Sequence, residues 1–371
     1  MILLNDFIRQ WRETASDVLA ATQEVGESGW YVLGERVARF EQTLAAFFGR
    51  KQAVGCASGL DAIEIGLRIL GVRPGDRVLT TPLTAFATTL AIVRAGARPV
   101  FVDVDDNGQI DLGQCEARLL RDPALRAFVP VHLYGYPLDL GVLARLKARF
   151  GLALVEDAAQ AIGAAWEGRA VGSVGEVAAT SFYPTKNLGC IGDGGALLMD
   201  DPALAARAAS LRNYGQSARY HHDELGLNSR LDELQAALLE RAFFPRLAAW
   251  TERRRTIAAR YLGGITHPQV RLLRPAPQAA PCWHLFPVFV PAQRRAQFQD
   301  HLQEAGVQTA IHYPRLVPDQ KALADLGGVE VEGKLPVARR LAAEEVSLPI
   351  HPYLQNDEID KVIAAVNRWP G

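Results

Sequence analysis

From residue 51 onward, short apolar runs rich in β-branched residues alternate with stretches whose apolar positions recur every three or four residues. KQAVGCA (51–57) precedes LDAIEIGLRIL (60–70), and RVLTT (77–81) precedes FATTLAIVRAG (86–96). PVFVDV (99–104), AFVPVHL (127–133), LALVEDA (152–158), EVAATSF (176–182) and GGALLMD (194–200) follow, most of them separated by amphipathic stretches such as DLGVLARLKARFG (139–151). The short runs read as strands and the longer periodic stretches as helices. Their alternation predicts an α/β layer fold with a mainly parallel sheet. Ligands of such sheets bind beyond the carboxyl ends of the strands. The residues just after each apolar run are therefore the first candidates for chemistry.

A long helical pattern covers 231–262, and Pro245 within it lacks an N–H and should kink or split the helix. The charged second half reads as a connector. THPQVRLLRPAPQAAP (266–281) then leads into a smaller α+β unit with a β-run HLFPVFV, a helix RAQFQDHLQEAG, the proline-punctuated IHYPRLVP and a closing helix NDEIDKVIAAVNRW. This predicts a large α/β domain over 1–245, including the N-terminal segment, and a small C-terminal domain over 246–371.

Composition narrows the class. The 371 residues are 49% hydrophobic and 22% charged, which is globular rather than disordered. A formal net charge of −1 offers no basic field for nucleic acid or anionic lipid. The cysteines Cys56, Cys115, Cys190 and Cys282 are scattered, as expected of buried, reduced thiols. The start, MILLNDFIRQWRETASD, mixes acids and bases without an apolar leader, and no run reaches 18 apolar residues. A soluble cytoplasmic enzyme that contacts neither membrane nor nucleic acid is the expectation. His221-His222 has no third ligand nearby in the sequence, so a polar loop is expected there and no metal site.

The strand ends then supply three polar groups. Ser58-Gly59 follows KQAVGCA and opens a helix. Free N–H groups, the positive dipole end and a hydroxyl would bind phosphate without a basic residue, and the same serine would equally serve as a plain cap. Asp157 follows LALVE, where a carboxylate is costly unless a cation or donors meet it, and it too has a capping reading. Glu156 points to the opposite face if the strand continues. Lys186 follows EVAATSF within SFYPTKNLGCIGDGGALL (181–198), as a phosphate clamp, a covalent attachment point or part of a surface turn. The glycines from Gly189 to Gly195 match neither GxxxxGK[ST] nor GxGxxG and suggest room for close approach. A pyridine ring carrying an aldehyde and a phosphate fits this triangle. The acid would hold the protonated ring nitrogen, the lysine would form a Schiff base and Ser58 would take the phosphate.

These segments resemble a known family. SGWYVLGERVARFE (28–41), GCASGLDAIEIGL (55–67), TTPLTAFATTLAIVRAGARPVFVDVD (80–105), VHLYG (131–135), VEDAAQAIGA (155–164), SFYPTKNLGCIGDGGA (181–196), GLNSRLDELQAA (226–237), IHYP (311–314) and SLP (347–349) occur in the order found in DegT/StrS-type nucleotide-sugar aminotransferases. The resemblance implies the aspartate-aminotransferase-like fold (fold type I) and pyridoxal 5′-phosphate as cofactor. It implies Lys186 as the Schiff-base lysine, Asp157 at the ring nitrogen, Gln160 at the ring hydroxyl and Phe86 stacked on the ring. Ser58, Gly59 and Ser181 would bind the phosphate, joined by Asn228 from the neighbouring subunit of a homodimer with shared sites. Tyr31, Tyr183, Tyr214, His312 and Tyr313 lie in segments that approach the sugar nucleotide in this family. Arg219 and Arg230 would meet a diphosphate or a uronate carboxylate, or else sit in ion pairs.

Related dehydratases carry histidine where Lys186 stands, so the lysine favours transamination. The implied reaction moves an amino group from L-glutamate, released as 2-oxoglutarate, to a nucleotide-linked keto-sugar. The nearest branch acts on a dTDP-3-keto-6-deoxyhexose and yields a dTDP-3-amino-3,6-dideoxyhexose. A UDP-linked 3-keto-uronic acid, a 4-keto-sugar and a non-catalytic regulatory role are the rival readings.

Overall fold

A computed structural model describes residues 1–324 and 326–371. The seven apolar runs form the strands β1 (Gln52–Cys56), β2 (Arg77–Thr80), β3 (Arg98–Phe101), β4 (Ala127–Val129), β5 (Ala153–Asp157), β6 (Val177–Ser181) and β7 (Gly195–Met199). They lie in the order β1–β7–β6–β5–β4–β2–β3, and Glu330–Val331 adds an eighth strand beside β3. Pairing is parallel from β6 through β3 to Glu330–Val331, whereas β7 runs antiparallel to both β1 and β6. A parallel return needs a long crossover, usually a helix. The segment between β6 and β7 has no helix and is used for turns that carry Lys186, so the chain comes back antiparallel.

The helices α1 (Phe7–Ser28), α2 (Glu35–Phe47), α3 (Gly59–Ile69) and α4 (Phe86–Arg94) precede or connect the first strands. In α3 all residues but Leu60 and Arg68 are buried, because it packs among β5, β6 and β7 instead of facing water on one side. Such an embedded helix presents its N-terminus at a fixed place above the strand ends, and its capping residue is Ser58.

Pro245 has the expected effect. The 231–262 pattern becomes an α-helix at Glu233–Leu238, a π-turn at Leu239–Phe243, a 3-10 turn at Phe244–Arg246 and a second α-helix at Leu247–Gly264. Beyond it, Arg271–Leu272, Phe286–Phe289 and Glu345–Leu348 form an antiparallel sheet with Phe286–Phe289 in the centre. The helices Arg295–Glu304 and Asn356–Asn367 cover it, with Phe298, Leu302, Val362 and Trp369 in its core. Many contacts cross the expected 245/246 division, and two of them are backbone pairings at the edges of the two units. Ile2 bridges Val307 and joins the C-terminal core, and Glu330–Val331 completes the edge of the large sheet.

All four cysteines are free and buried. His221–His222 forms a short exposed strand paired with Gln216–Ala218, a small hairpin where a loop was expected. Among the described residues no helix is long and apolar enough to cross a membrane, and no cluster of His, Cys, Asp or Glu is placed to hold a metal ion.

Candidate active site

The site begins where β5 ends. Alternation along the strand sends Glu156 and Asp157 to opposite faces. Glu156 accepts from the backbone N–H groups of Gly172, Val174 and Gly175 and lies 3.2 Å from His132 Nε2. Burial works to raise its pKa, but His132 and these N–H donors outweigh it and hold the carboxyl below its ordinary range. Glu156 is thus a structural carboxylate. Asp157 accepts from the Thr88 hydroxyl at 2.8 Å and from the Ala159 N–H at 3.1 Å. Burial pushes its carboxyl above the ordinary range against the pull of these donors and of Lys186. An additional donor or cation at Asp157 would restore its charged form.

Ser58 combines the two readings offered for it. Its hydroxyl accepts from the Asp61 N–H at 3.1 Å, which caps α3, and the residue also lines the cavity above β5. Ser229 steadies this corner by accepting from the Ala57 N–H and donating to Asp61 Oδ2 at 2.8 Å. The corner leaves no room for a side chain at two glycines. A Cβ on Gly59 would lie 2.7 Å from Ser181 Cβ, and one on Gly195 would lie 2.6 Å from the Gly59 nitrogen and overlap the Ser58 carbonyl. Close backbone approach is what glycine permits here.

Lys186 sits in a turn closed by its N–H on the Tyr183 carbonyl at 2.8 Å. It is half-buried, and desolvation pushes its ammonium pKa down to about 8 although Asp157 pulls the other way. One cavity of about 250 Å³ brings it together with Ser58, Gly59, Asp157, Gln160, Ser181 and Tyr183. Gln160 is fixed at both ends, accepting from the Tyr134 N–H at 2.7 Å and donating to the Tyr313 hydroxyl at 3.2 Å. The Tyr134 hydroxyl donates to the His312 carbonyl, so Gln160 and Tyr134 tie IHYP to the β5 end of the cavity.

Other candidates lie elsewhere in the chain. Phe86 packs half-buried against Phe101, Val317 and Leu323, while its neighbours Ala85 and Ala87 line the cavity. Asn228 is exposed, bridged to Asn213, and Tyr31 is exposed in the turn before α2. Tyr214 stacks beneath the Arg230 guanidinium at 5.2 Å, and Arg219 stacks on Tyr220 at 5.1 Å. Among the described residues the ion-pair alternative for these arginines is not realised. Arg230 donates to Asn213 Oδ1 and Arg219 to the Tyr220 hydroxyl instead.

Sequence reasoning passed over Thr88, although it lies in the quoted TAFATT segment. Its four-residue spacing from Thr84, whose hydroxyl is 3.2 Å away, is the available signal. Glu345 and His284, brought beside His312 or Lys186 only by packing, gave none.

The model for the DegT/DnrJ/EryC1/StrS aminotransferase family matches residues 12–367. The chain belongs to this family. It is 43% identical over 366 residues to a dTDP-3-amino-3,4,6-trideoxy-alpha-D-glucose transaminase of Streptomyces venezuelae, covering 98% of this chain and 95% of that one. It is 37% identical to a UDP-2-acetamido-2-deoxy-3-oxo-D-glucuronate aminotransferase of Pseudomonas aeruginosa, over 99% of both. Among solved structures, S. venezuelae DesV in complex with a ketimine intermediate superposes with a TM-score of 0.92 at 42% identity, covering 100% and 98% of the two chains. NtdA from Bacillus subtilis with bound cofactor PMP gives 0.86 at 29% identity, over 95% and 81%. The fold is accordingly that of the pyridoxal-phosphate aminotransferases, and the cofactor is pyridoxal 5′-phosphate. The donor set of the cavity fits this cofactor: a capped helix N-terminus with hydroxyls for an anion, a buried carboxylate short of a donor, and an amine with a depressed pKa.

Proposed function

We propose that the chain moves the amino group of L-glutamate to C3 of a dTDP-3-keto-6-deoxyhexose, giving the 3-amino-3,6-dideoxyhexose. The observation that carries the reading is the convergence of Lys186, Asp157, Ser58 and Gln160 on one cavity in a chain so similar to a dTDP-amino-sugar transaminase. Lys186 would attach the cofactor, and its freed amine would take up and return the proton of the donor α-carbon. A lysine pKa of about 8 leaves part of the amine neutral near pH 7.5, as a base requires. Asp157, oriented by Thr88 and the Ala159 N–H, keeps the ring nitrogen protonated. Ser58, Gly59 and Ser181 would hold the phosphate at the N-terminus of α3, and Gln160 would meet the ring hydroxyl. When bound, the cofactor supplies an electron sink for the charge left at the donor carbon.

The functional unit is a cytoplasmic homodimer in which Asn228 reaches the phosphate of the partner's site. Exposed Phe7, Ile8, Trp11, Tyr183 and Ile191 support an apolar face close to the lysine loop. We place Tyr31, Tyr183, Tyr214, Arg219, Arg230, His312 and Tyr313 on the sugar-nucleotide side, with Phe86 at the cofactor. The division at 245/246 separates the cofactor domain from the small domain.

The test is incubation of the pyridoxamine-loaded protein with 3-keto and 4-keto dTDP- and UDP-sugars, following amino-sugar formation by mass spectrometry. Amination of the dTDP-3-keto sugar is expected, and turnover confined to 4-keto sugars would reject the reading. A UDP-linked 3-keto-uronic acid is the second substrate to try, because the P. aeruginosa relative matches over 99% of both chains.

A further inference from the structure

In EEVSLP (344–349) an acid opens a buried strand. Glu345 and Ser347 stand two apart in the strand Glu345–Leu348, so their side chains leave the same face. Val346, between them, joins the apolar core. The backbone of Ser347 bridges Ala310, which lays IHYP (311–314) alongside. The outcome is an unbroken chain of three polar side chains. Ser347 Oγ lies 2.5 Å from Glu345 Oε1 and 2.9 Å from His312 Nδ1, and Glu345 Oε2 accepts from the His312 backbone N–H at 2.6 Å. Glu345 and Ser347 are buried, whereas His312 lines a cavity of about 120 Å³ with Thr185, His284 and Arg254. With Nδ1 engaged inside the protein, Nε2 is the ring nitrogen left for a ligand.

We propose that Glu345 and Ser347 form a proton relay that sets the tautomer of His312. The ring offers the cavity a donor at Nε2 while the Glu345 carboxyl is protonated, and an acceptor once it is ionised. The relay rests on the aminotransferase reading for its ligand, an acceptor oxygen of the sugar beside His312. Glu345 and Ser347 touch no ligand and act by positioning the ring proton.

Counting protons gives the two states. Burial and the Lys186 charge push the His312 ring down to about 4, so at pH 7 it carries one proton, on Nδ1 or on Nε2. Ser347 decides between them, because its hydroxyl has one proton to donate. A protonated Glu345 carries its proton on Oε1, since Oε2 is taken by the His312 N–H, and donates it to Ser347 Oγ. Ser347 then donates to Nδ1, and the ring proton stays on Nε2. When Glu345 is ionised, Ser347 donates to Oε1 and accepts from Nδ1–H, which leaves Nε2 a lone pair. Between the states each remaining proton moves one place along the chain, and the proton of Nε2 passes to water. Burial holds Glu345 up at about 8 against its donors, so the donor form prevails at pH 7. Tyr134 and Tyr313, which also face Glu345, are pushed up by burial and keep their protons, and His284 is pushed well below the histidine range. Arg295 is the cation acting on Glu345, and Arg254 is the cation in the cavity wall. Lys186, pushed down to about 8, is the other group here that titrates in the same range.

The test follows isotope-labelled histidine by nitrogen NMR in the pyridoxal-phosphate-loaded protein, with His312→Gln identifying the signal. The His312 ring should change from Nε2–H to Nδ1–H with a midpoint near pH 8, without becoming charged. Glu345→Gln, whose amide still donates to Ser347, should hold the Nε2–H form throughout. Ser347→Ala should uncouple the ring from pH, and Ser347→Thr should restore the response. In turnover, the KM for the keto-sugar should rise about 3- to 10-fold across the same step, the weight of one lost hydrogen bond. Glu345→Gln should remove that step in KM and leave in kcat the change that belongs to Lys186. A wild-type tautomer that ignores pH, or a Glu345→Gln ring that titrates like wild type, would overturn the relay. If no variant folds, the wild-type spectrum decides. A tautomer change with a flat KM would overturn its role at the sugar. A protein that aminates no nucleotide keto-sugar would refute the aminotransferase reading, an outcome the spectrum does not depend on.

Discussion

The Thr88 hydroxyl donates to Asp157 Oδ2 at 2.8 Å, joining the first turn of α4 to the end of β5. Both residues are buried, so the bond sets the carboxylate's orientation on the cavity wall. Thr88→Val keeps the shape and removes the donor. The expected result is a folded protein whose donor half-reaction slows about 10- to 100-fold, the weight of one hydrogen bond to a charged group. Asp157→Asn should bind cofactor and lose more of the rate. Stopped-flow absorbance on both variants checks the order, and a Thr88→Val protein at wild-type rate would show that Asp157 needs no such support.

Lys186→Ala should fold, bind pyridoxal phosphate reversibly and lack the visible absorbance of a lysine-linked pyridoxal. Repeated turnover with glutamate in this variant would remove Lys186 from the role assigned to it. Methylamine or a similar small amine should restore more activity as pH rises, because only its neutral form can act as the base.

Gly195→Ala introduces a Cβ that overlaps the Ser58 carbonyl and lies 2.6 Å from the Gly59 nitrogen. Backbone, not a flexible side-chain end, would have to move, at a cost of about 1–3 kcal/mol. The displaced group is the capped end of α3. Cofactor affinity should therefore fall by more than the melting temperature suggests, measured by fluorescence titration beside thermal unfolding. Equal effects on the two would mean that the corner is only packing.

Glu345 gives the unliganded protein a pH-dependent stability. Its carboxyl is buried among His312, Ser347 and the Tyr134 and Tyr313 rings, and the Arg295 charge acts on it. Burial raises its pKa from 4.5 to about 8 despite donors from Ser347 and His312. Between these values the folded state binds the proton and the unfolded state does not, so stability falls as pH rises from 4.5 to 8. The slope from this group is at most about 1.4 kcal/mol per pH unit. Glu345→Gln should flatten the urea-unfolding profile over that window, and an unaltered slope would place the proton elsewhere.

The strands were legible because each is a short apolar run, and the kink at Pro245 because a missing N–H acts locally whatever surrounds it. Ser58, Asp157 and Lys186 were legible for a related reason. A polar residue directly after a buried run stands at a strand end, which the α/β pattern turns into a ligand-facing place. Their convergence on one cavity was open to inference only because the strand order could be guessed.

What the chain alone determined was thus what depends on neighbours in sequence: the strands, the helices, the break at Pro245, and the family to which its ordered motifs belong. Tertiary structure decided what depends on partners far along the chain. Ser58 proved to be both cap and cavity wall because α3 lies against β6 and β7. Thr88 acquired its carboxylate across 69 residues. Arg219 and Arg230, for which an ion pair was the alternative to a substrate anion, stack on aromatic rings. A side chain's burial, charge state and hydrogen-bond partners are set by atoms that packing brings within a few ångströms, and no local pattern records which atoms those will be.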